Sequence, residues 1–226
     1  MFRVRVLASA ALVVYLCSSA RADEVEDRGV ALVELLGGRV NRNEQAPGRP
    51  VIGVRLTGPK VTDAELKQLV GFKDLAHLEL VFAKVTDAGL KDLSALKSLL
   101  KLDLGRTAVS DTGLKELAML QGLTKLGLTG TKVTDAGLKE LATLRGLTEL
   151  ELSDTAVTDA GLKELAASTA LTKLYLTGPA ITDAGLKELV AIKGLTYLSL
   201  HGTKVSDAGV KELQSALPKC YCNVEK

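Results

Sequence analysis

The 226 residues contain no tryptophan, and aromatic side chains make up only 3 %. A single globular core of this size normally uses bulky rings to fill its interior, so space here must be filled by aliphatic side chains in many similar layers. Histidine is almost absent. His77 and His201 fall at different positions of the repeat described below, five copies apart, or about 24 Å at ~4.8 Å per strand. They cannot share a metal ion or a proton. The patterns G-x-x-x-x-G-K-[ST], G-x-G-x-x-G, G-x-S-x-G and H-E-x-x-H do not occur, which removes the common phosphate, dinucleotide, serine-hydrolase and zinc-protease sites. No catalytic residue, cofactor or metal is expected.

Cysteine is also scarce, and Cys17 lies in a segment that reads as a secretory signal peptide, residues 1–22. Arg3 and Arg5 give a positive start, Val6 to Cys17 is uncharged and mostly apolar, and Ala20-Arg21-Ala22 places small residues before a cleavage site. As a helix that stretch spans about 18 Å, short of the ~30 Å hydrocarbon core. An uncleaved anchor and a lipid-modified Cys17 are the alternatives, the latter disfavoured by bulky Leu16. The expectation is export to a periplasm or medium, with no stable membrane insertion after cleavage. Loss of Arg3, Arg5 and Arg21 leaves 26 of the 29 basic residues against 27 acidic. The basic balance thus belongs to the signal, and no nucleic-acid footprint remains. Cys220 and Cys222 stay in the mature chain. They can fill apolar space, form a strained internal disulfide, or pair with another chain or metal.

From Val51 the chain realigns with itself every 24 residues, in seven copies beginning at Val51, Leu75, Leu99, Leu123, Leu147, Leu171 and Leu195. The clearest is 123–146, LTKLGLTGTKVTDAGLKELATLRG. Leu123, Leu126 and Leu128 make L-x-x-L-x-L, whose end alternates as a strand does. Leu138, Leu141 and Leu144 are spaced by three, as on a helix. Thr134 or Asp135 can cap that helix. Each copy is therefore one strand, a tight turn and one helix, too small to fold alone. Thr at the ninth position (Thr107, Thr131, Thr155, Thr203) is expected to satisfy turn backbone groups. Gly at the fifteenth, in every copy but the first, which has Glu65, points to close approach of the preceding layer. Around the repeats (51–218) lie an N-terminal cap (23–50), with a helix over 24–37 and a polar connector from Asn41 to Pro50, and a C-terminal cap (219–226) in which Cys220, Cys222 and Val224 alternate as a closing strand.

The pattern L-x-x-L-x-L-x-x-T-x-V-T-D-x-G-L-x-x-L resembles the cysteine-containing class of leucine-rich repeats, with Thr here where that class has Cys. The class is known from F-box receptors of ubiquitin ligases and from bacterial repeat proteins. The segment GGRVNRNEQAPGRPVIGV, residues 37–54, is similar to the N-termini of exported bacterial members. The resemblance covers nearly the whole mature chain and implies an α/β leucine-rich-repeat solenoid: a right-handed arc, a parallel sheet on the concave face, helices on the convex face. It implies partner binding and brings no catalytic residues.

The seven aspartates at the helix starts (Asp63, Asp87, Asp111, Asp135, Asp159, Asp183, Asp207) read as capping groups, not as an acid–base array. The outer Lys-Glu pairs, such as Lys139-Glu140, read as a solvated face. What differs between copies is the inner face. Positions 3 and 5 are Gly53/Arg55, His77/Glu79, Lys101/Asp103, Lys125/Gly127, Glu149/Glu151, Lys173/Tyr175 and Tyr197/Ser199, and position 8 adds Phe82, Arg106 and Asp154. This variation fits either a recognition surface or an unconstrained one. The residue types favour recognition, so the candidate contacts for a protein or peptide ligand are Arg55, His77, Glu79, Phe82, Lys101, Asp103, Arg106, Lys125, Glu149, Glu151, Lys173, Tyr175 and Tyr197. Tyr175 and Tyr197, as diagonal neighbours roughly 7–8 Å apart, are expected to clasp one ligand side chain. A ubiquitin-ligase adaptor is the alternative. It fits poorly with a signal peptide and with residues 23–50, which are too few for an F-box.

Overall fold

The computed structural model describes residues 24–224; the expected signal segment lies outside them. Helix α1 covers 24–35 and is followed by strand β1, Arg39–Arg42. Strand and helix then alternate: β2 Val51–Arg55, α2 Asp63–Leu69, β3 His77–Glu79, α3 Asp87–Leu93, β4 Lys101–Asp103, α4 Asp111–Leu117, β5 Lys125–Gly127, α5 Asp135–Leu141, β6 Glu149–Glu151, α6 Asp159–Glu164, β7 Lys173–Thr177, α7 Asp183–Leu189, β8 Tyr197–His201, α8 Asp207–Ala216, β9 Tyr221–Asn223. Among the described residues the strands form one sheet in sequence order. From β2 to β9 it is parallel, and every copy pairs with the next in a 24-residue register, as in Leu78↔Leu102 and Leu102↔Leu126. The six leucines that set the pattern in copy 123–146, and Val133 between them, are all buried, none more than 1 % exposed. The architecture is an α/β leucine-rich-repeat solenoid.

The helix starts are built differently from the expectation. Thr or Ser alone is the N-cap: the Thr134 hydroxyl accepts from Ala136 N–H. The aspartate after it reaches instead into the next layer. Asp111 Oδ1 accepts the Thr134 N–H at 2.8 Å and Oδ2 accepts its hydroxyl at 2.6 Å. The same two bonds join Asp63 to Thr86, Asp87 to Ser110, Asp135 to Thr158, Asp159 to Thr182 and Asp183 to Ser206. The helix caps thus form a ladder along the solenoid, and each carboxylate supports the cap ahead of it. A Cβ at Gly137 would collide with Asp111 Oδ1 and lie 2.7 Å from Leu114 Cδ1, so this ladder is the close approach the glycine position pointed to. In the first copy, which has no preceding aspartate, Glu65 stands in. Its Oε2 accepts both the Thr62 N–H and the Thr62 hydroxyl, closing a capping box within one layer.

The N-terminal cap corrects a second expectation. The polar connector does not begin at Asn41, because Arg39–Arg42 is a strand paired antiparallel to β2, Arg39 opposite Arg55 and Asn41 opposite Gly53. Val40 packs on the core. Glu26 on α1 holds the arrangement: its Oε1 accepts from Arg42 at 2.7 Å and from the Val51 N–H at 3.2 Å. A four-residue antiparallel strand covers an edge that would otherwise be open to pairing. The ninth-position threonines act as expected, but within their own layer, each hydroxyl donating to a carbonyl three residues back, such as Thr131 to Leu128 at 2.7 Å.

Candidate functional site: the concave sheet face

Because successive strand residues alternate in direction, leucines at positions 4 and 6 face the core, and positions 3 and 5 stand in two columns on the concave face. The parallel register carries these columns across the layers. One runs Gly53, His77, Lys101, Lys125, Glu149, Lys173, Tyr197, and the other Arg55, Glu79, Asp103, Gly127, Glu151, Tyr175, Ser199. All expected site residues at these positions lie on this one face.

Its centre is an ion-pair cluster. Lys125 Nζ lies 2.7 Å from both Glu149 Oε1 and Glu151 Oε1, and Lys173 is 3.6 Å from Glu149. Burial works against the Lys125 charge, yet the hydrogen bonds it donates to the two glutamates hold its ammonium above the usual range. Burial likewise opposes ionisation of Glu149, but Lys125 and then Lys173 keep its carboxyl below the usual range. Cross-strand charge pairs of this kind add to the sheet itself.

The C-terminal third is aromatic. Tyr175 and Tyr197 do not stand apart as a clasp: their ring centroids are 5.3 Å apart with planes tilted by 45°. The rings lean together and cover each other's faces, a gain open to aromatic pairs at this separation. Tyr221 on β9 continues the stack, 6.0 Å from Tyr197. Sequence reasoning missed Tyr221, although it stands 24 residues after Tyr197 and so continues the register past the last full repeat. Its neighbours Cys220 and Cys222 point inward as expected. Both thiols are free, Cys220 buried in the core and Cys222 half-buried.

The N-terminal third is hollow, a pocket of about 440 Å³ lined by Arg55, His77, Glu79, Lys101, Asp103 and Lys125, with Arg39 and Asn41 of β1. The two β1 residues were not foreseen as site residues because no strand was read ahead of Val51. Arg55 pairs with Glu79 at 2.7 Å. Burial pushes the Asp103 carboxyl up, although the Gly105 N–H donates to it. Burial and the nearby Lys101 charge push the His77 imidazole down.

Position 8 forms the rim, in left-handed backbone in all seven copies: Gly58, Phe82, Arg106, Gly130, Asp154, Gly178 and Gly202. Four copies use glycine, which has no side chain to strain there. Phe82, Arg106 and Asp154 accept the strain. Arg106 reaches across Gly130 to pair with Asp154 at 2.7 Å, while Phe82 is 59 % exposed. Among the described residues no group of three or more His, Cys, Asp or Glu side chains is arranged to hold a metal ion, and no helix is long and apolar enough to cross a membrane.

Comparison with known proteins agrees with this geometry. The leucine-rich repeat family profile matches residues 95–118, 121–142 and 145–166. Among solved structures the chain is similar to internalin C2 of Listeria monocytogenes, with a TM-score of 0.59 and 22 % identity over 77 % of this chain and 81 % of that one. An internalin (inlF) of the same organism gives a TM-score of 0.43 and 19 % identity over 76 % of this chain and 58 % of that one. A leucine-rich-repeat protein of Leptospira interrogans gives 0.47 and 22 % over 70 % and 45 %. At these identities the first likeness shows the fold alone. No curated protein matches the chain.

Proposed function

We propose that this leucine-rich-repeat solenoid is an exported, non-enzymatic scaffold that binds a protein or peptide on its concave sheet. The observation that carries the reading is the ladder of Tyr175, Tyr197 and Tyr221, each ring in contact with the next, with Tyr175 and Tyr197 half-buried and Tyr221 exposed. Rings fixed against one another have already lost rotamer freedom, so a ligand gains contact area at little entropic cost. The ion-paired centre and the half-empty N-terminal end supply a polar surface on one side of that anchor. Leucine-rich-repeat proteins generally serve as binding scaffolds, and the face's variation from layer to layer agrees with that role.

The test is partner capture from the exported fraction with the full chain and with Tyr175→Ala/Tyr197→Ala. Both rings lie outside the leucine core, so the fold should persist. Affinity for the captured partner should fall by ~2 kcal/mol or more. Lys139→Ala/Lys163→Ala on the helical side is the control and should change little. Binding lost with the helical pair and kept with the tyrosine pair would place the ligand elsewhere. Intact mass of the exported form tests the export reading: a chain beginning at Asp23 is expected, and one retaining residues 1–22 contradicts it.

A further inference from the structure

The floor of the N-terminal hollow includes Gly53, where a Cβ would lie 3.2 Å from Asn41 Cβ. Around this floor stand four cations, Arg39, Arg55, Lys101 and Lys125, against the two carboxylates of Glu79 and Asp103. Two of the cations are already engaged, Arg55 by Glu79 and Lys125 by Glu149 and Glu151. Among the described residues Arg39 and Lys101 have no ion-pair partner, and both are exposed. They stand on β1 and β4, three strand spacings apart, and because Arg39 lines up with Asp103 through Arg55 and Glu79, two residues of register also separate it from Lys101, about 16 Å in all at ~4.8 Å per spacing and ~3.3 Å per residue. Phe82 lies at the rim beside Arg39, Arg55 and Glu79.

We propose that this hollow binds an extended acidic peptide segment laid across the strands, two of its carboxylates meeting Arg39 and Lys101 and an apolar side chain resting on Phe82. This rests on the concave-face reading above and adds the chemistry of the ligand at one end of that face. An extended chain advances ~3.3 Å per residue, so about 16 Å corresponds to about five residues, and about four once the long arginine and lysine side chains lean inward, a spacing that keeps both ligand carboxylates on one face. The two unpaired cations outnumber the one unpaired carboxylate, Asp103, and each offers a ligand carboxylate a partner. The resident carboxylates decide between ligand classes. A nucleic acid or sulfated polysaccharide would bring its closely spaced anions onto Glu79 and Asp103. A peptide instead places amide N–H donors between its carboxylates. Asp103 can accept from them, because among the described residues its one hydrogen-bond donor is the Gly105 N–H, at 2.9 Å. The Phe82 ring, held exposed in strained backbone where four sister copies have glycine, gives an apolar contact that a purely ionic ligand would not use.

Fluorescence anisotropy with the full chain and a fluorescein-labelled Gly-Glu-Gly-Leu-Gly-Glu-Gly peptide, whose glutamates and leucine share one face of an extended chain, tests the inference. The peptide should bind at low ionic strength, and replacing both of its glutamates by glutamine should weaken it by about tenfold or more. Arg39→Ala/Lys101→Ala should weaken binding to a similar extent with an unchanged circular dichroism spectrum, since both side chains are exposed, whereas Tyr175→Ala/Tyr197→Ala should leave it near the parent value. Equal binding of the glutamine peptide, undiminished binding by the Arg39/Lys101 variant, no binding of the acidic peptide up to millimolar concentration, or tighter binding of a heparin oligosaccharide or duplex DNA would each overturn the proposal. The two readings fail separately. Peptide binding that fails while partner capture stays sensitive to the tyrosines removes the hollow alone. Partner capture that ignores the tyrosines, Arg39 and Lys101 together removes the concave-face function.

Discussion

At the helix starts, six successive layer junctions are closed by the same two hydrogen bonds, from a Thr or Ser N–H and hydroxyl to the preceding aspartate, all between 2.6 and 2.8 Å. On the concave face of the same layers, no two copies carry the same pair of residues at positions 3 and 5. The two regions share one backbone repeat and one core, so the difference lies in where each side chain finds its partner. An aspartate at a helix start bonds the next copy, and a change there leaves a cap N–H and a hydroxyl without their acceptor. Many concave side chains meet only solvent or a neighbour on their own face. The pattern of sameness and variation therefore maps which surface the solenoid uses to hold itself together and which it leaves for something else.

Removing what both regions stand on should have the largest effect. Leu126→Ala, in the fully buried centre of the array, should cost ~2–5 kcal/mol in denaturant unfolding. Asp111→Ala breaks one rung of the ladder and should cost about 1–3 kcal/mol, while Lys101→Ala on the concave face should stay within ~0.5 kcal/mol. Equal losses at the two positions would erase the distinction. Acid should loosen the ladder and the ion-pair cluster together. Hydrogen bonds from Ser206 hold the Asp183 carboxyl below its ordinary range, as those from Thr62 hold Glu65, and Glu149 is also lowered. Folded values below unfolded ones mean stability that is complete above the ordinary carboxylate range and lost as pH falls through the folded values. Thermal midpoints should thus drop below about pH 4, with Asp103, shifted the other way by burial, opposing the fall slightly. A midpoint that rose on acidification would show that neither network contributes.

Smaller effects sharpen the comparison. The fifth copy has Ser168 where its neighbour has Leu144, and there α6 ends early, at Glu164, giving way to a 3-10 turn at Leu165–Ala167. Amides 165–170 should exchange faster than 141–146, and equal protection would mean that the neighbouring layers compensate. The smallest effect is expected at the rim. Phe82→Gly relieves left-handed strain at an exposed side chain and should raise stability by ~0.5 kcal/mol, while weakening the acidic peptide. A loss of stability would mean that the ring packs more than its exposure indicates.

Local signals in the chain were enough to fix the repeat. The 24-residue period, the leucine spacings of two and three and the threonines before each helix specify strands, helices, caps and core, because each depends on residues within one copy or on its identical neighbour. The outward columns followed from strand alternation alone. What the aspartates bond was hidden: the partner of Asp111 is Thr134, 23 residues on, and within one copy Asp and Thr compete for the same capping role. Four residues, Arg39–Arg42, carry too little alternation to declare a strand, and only the open edge of β2 makes them one. Spacing put Tyr175 and Tyr197 close, but ring contact depends on side-chain torsions that the register does not set. The hollow is a property of gaps. Gly53 reads as a weak strand residue by itself, and becomes part of a floor only when the sheet brings Arg39, Lys101 and Asp103 around it. Periodicity determines what every layer must do to stack, since that information repeats; the shape and charge of the concave face arise from what differs between layers, and only the folded sheet brings those differences together.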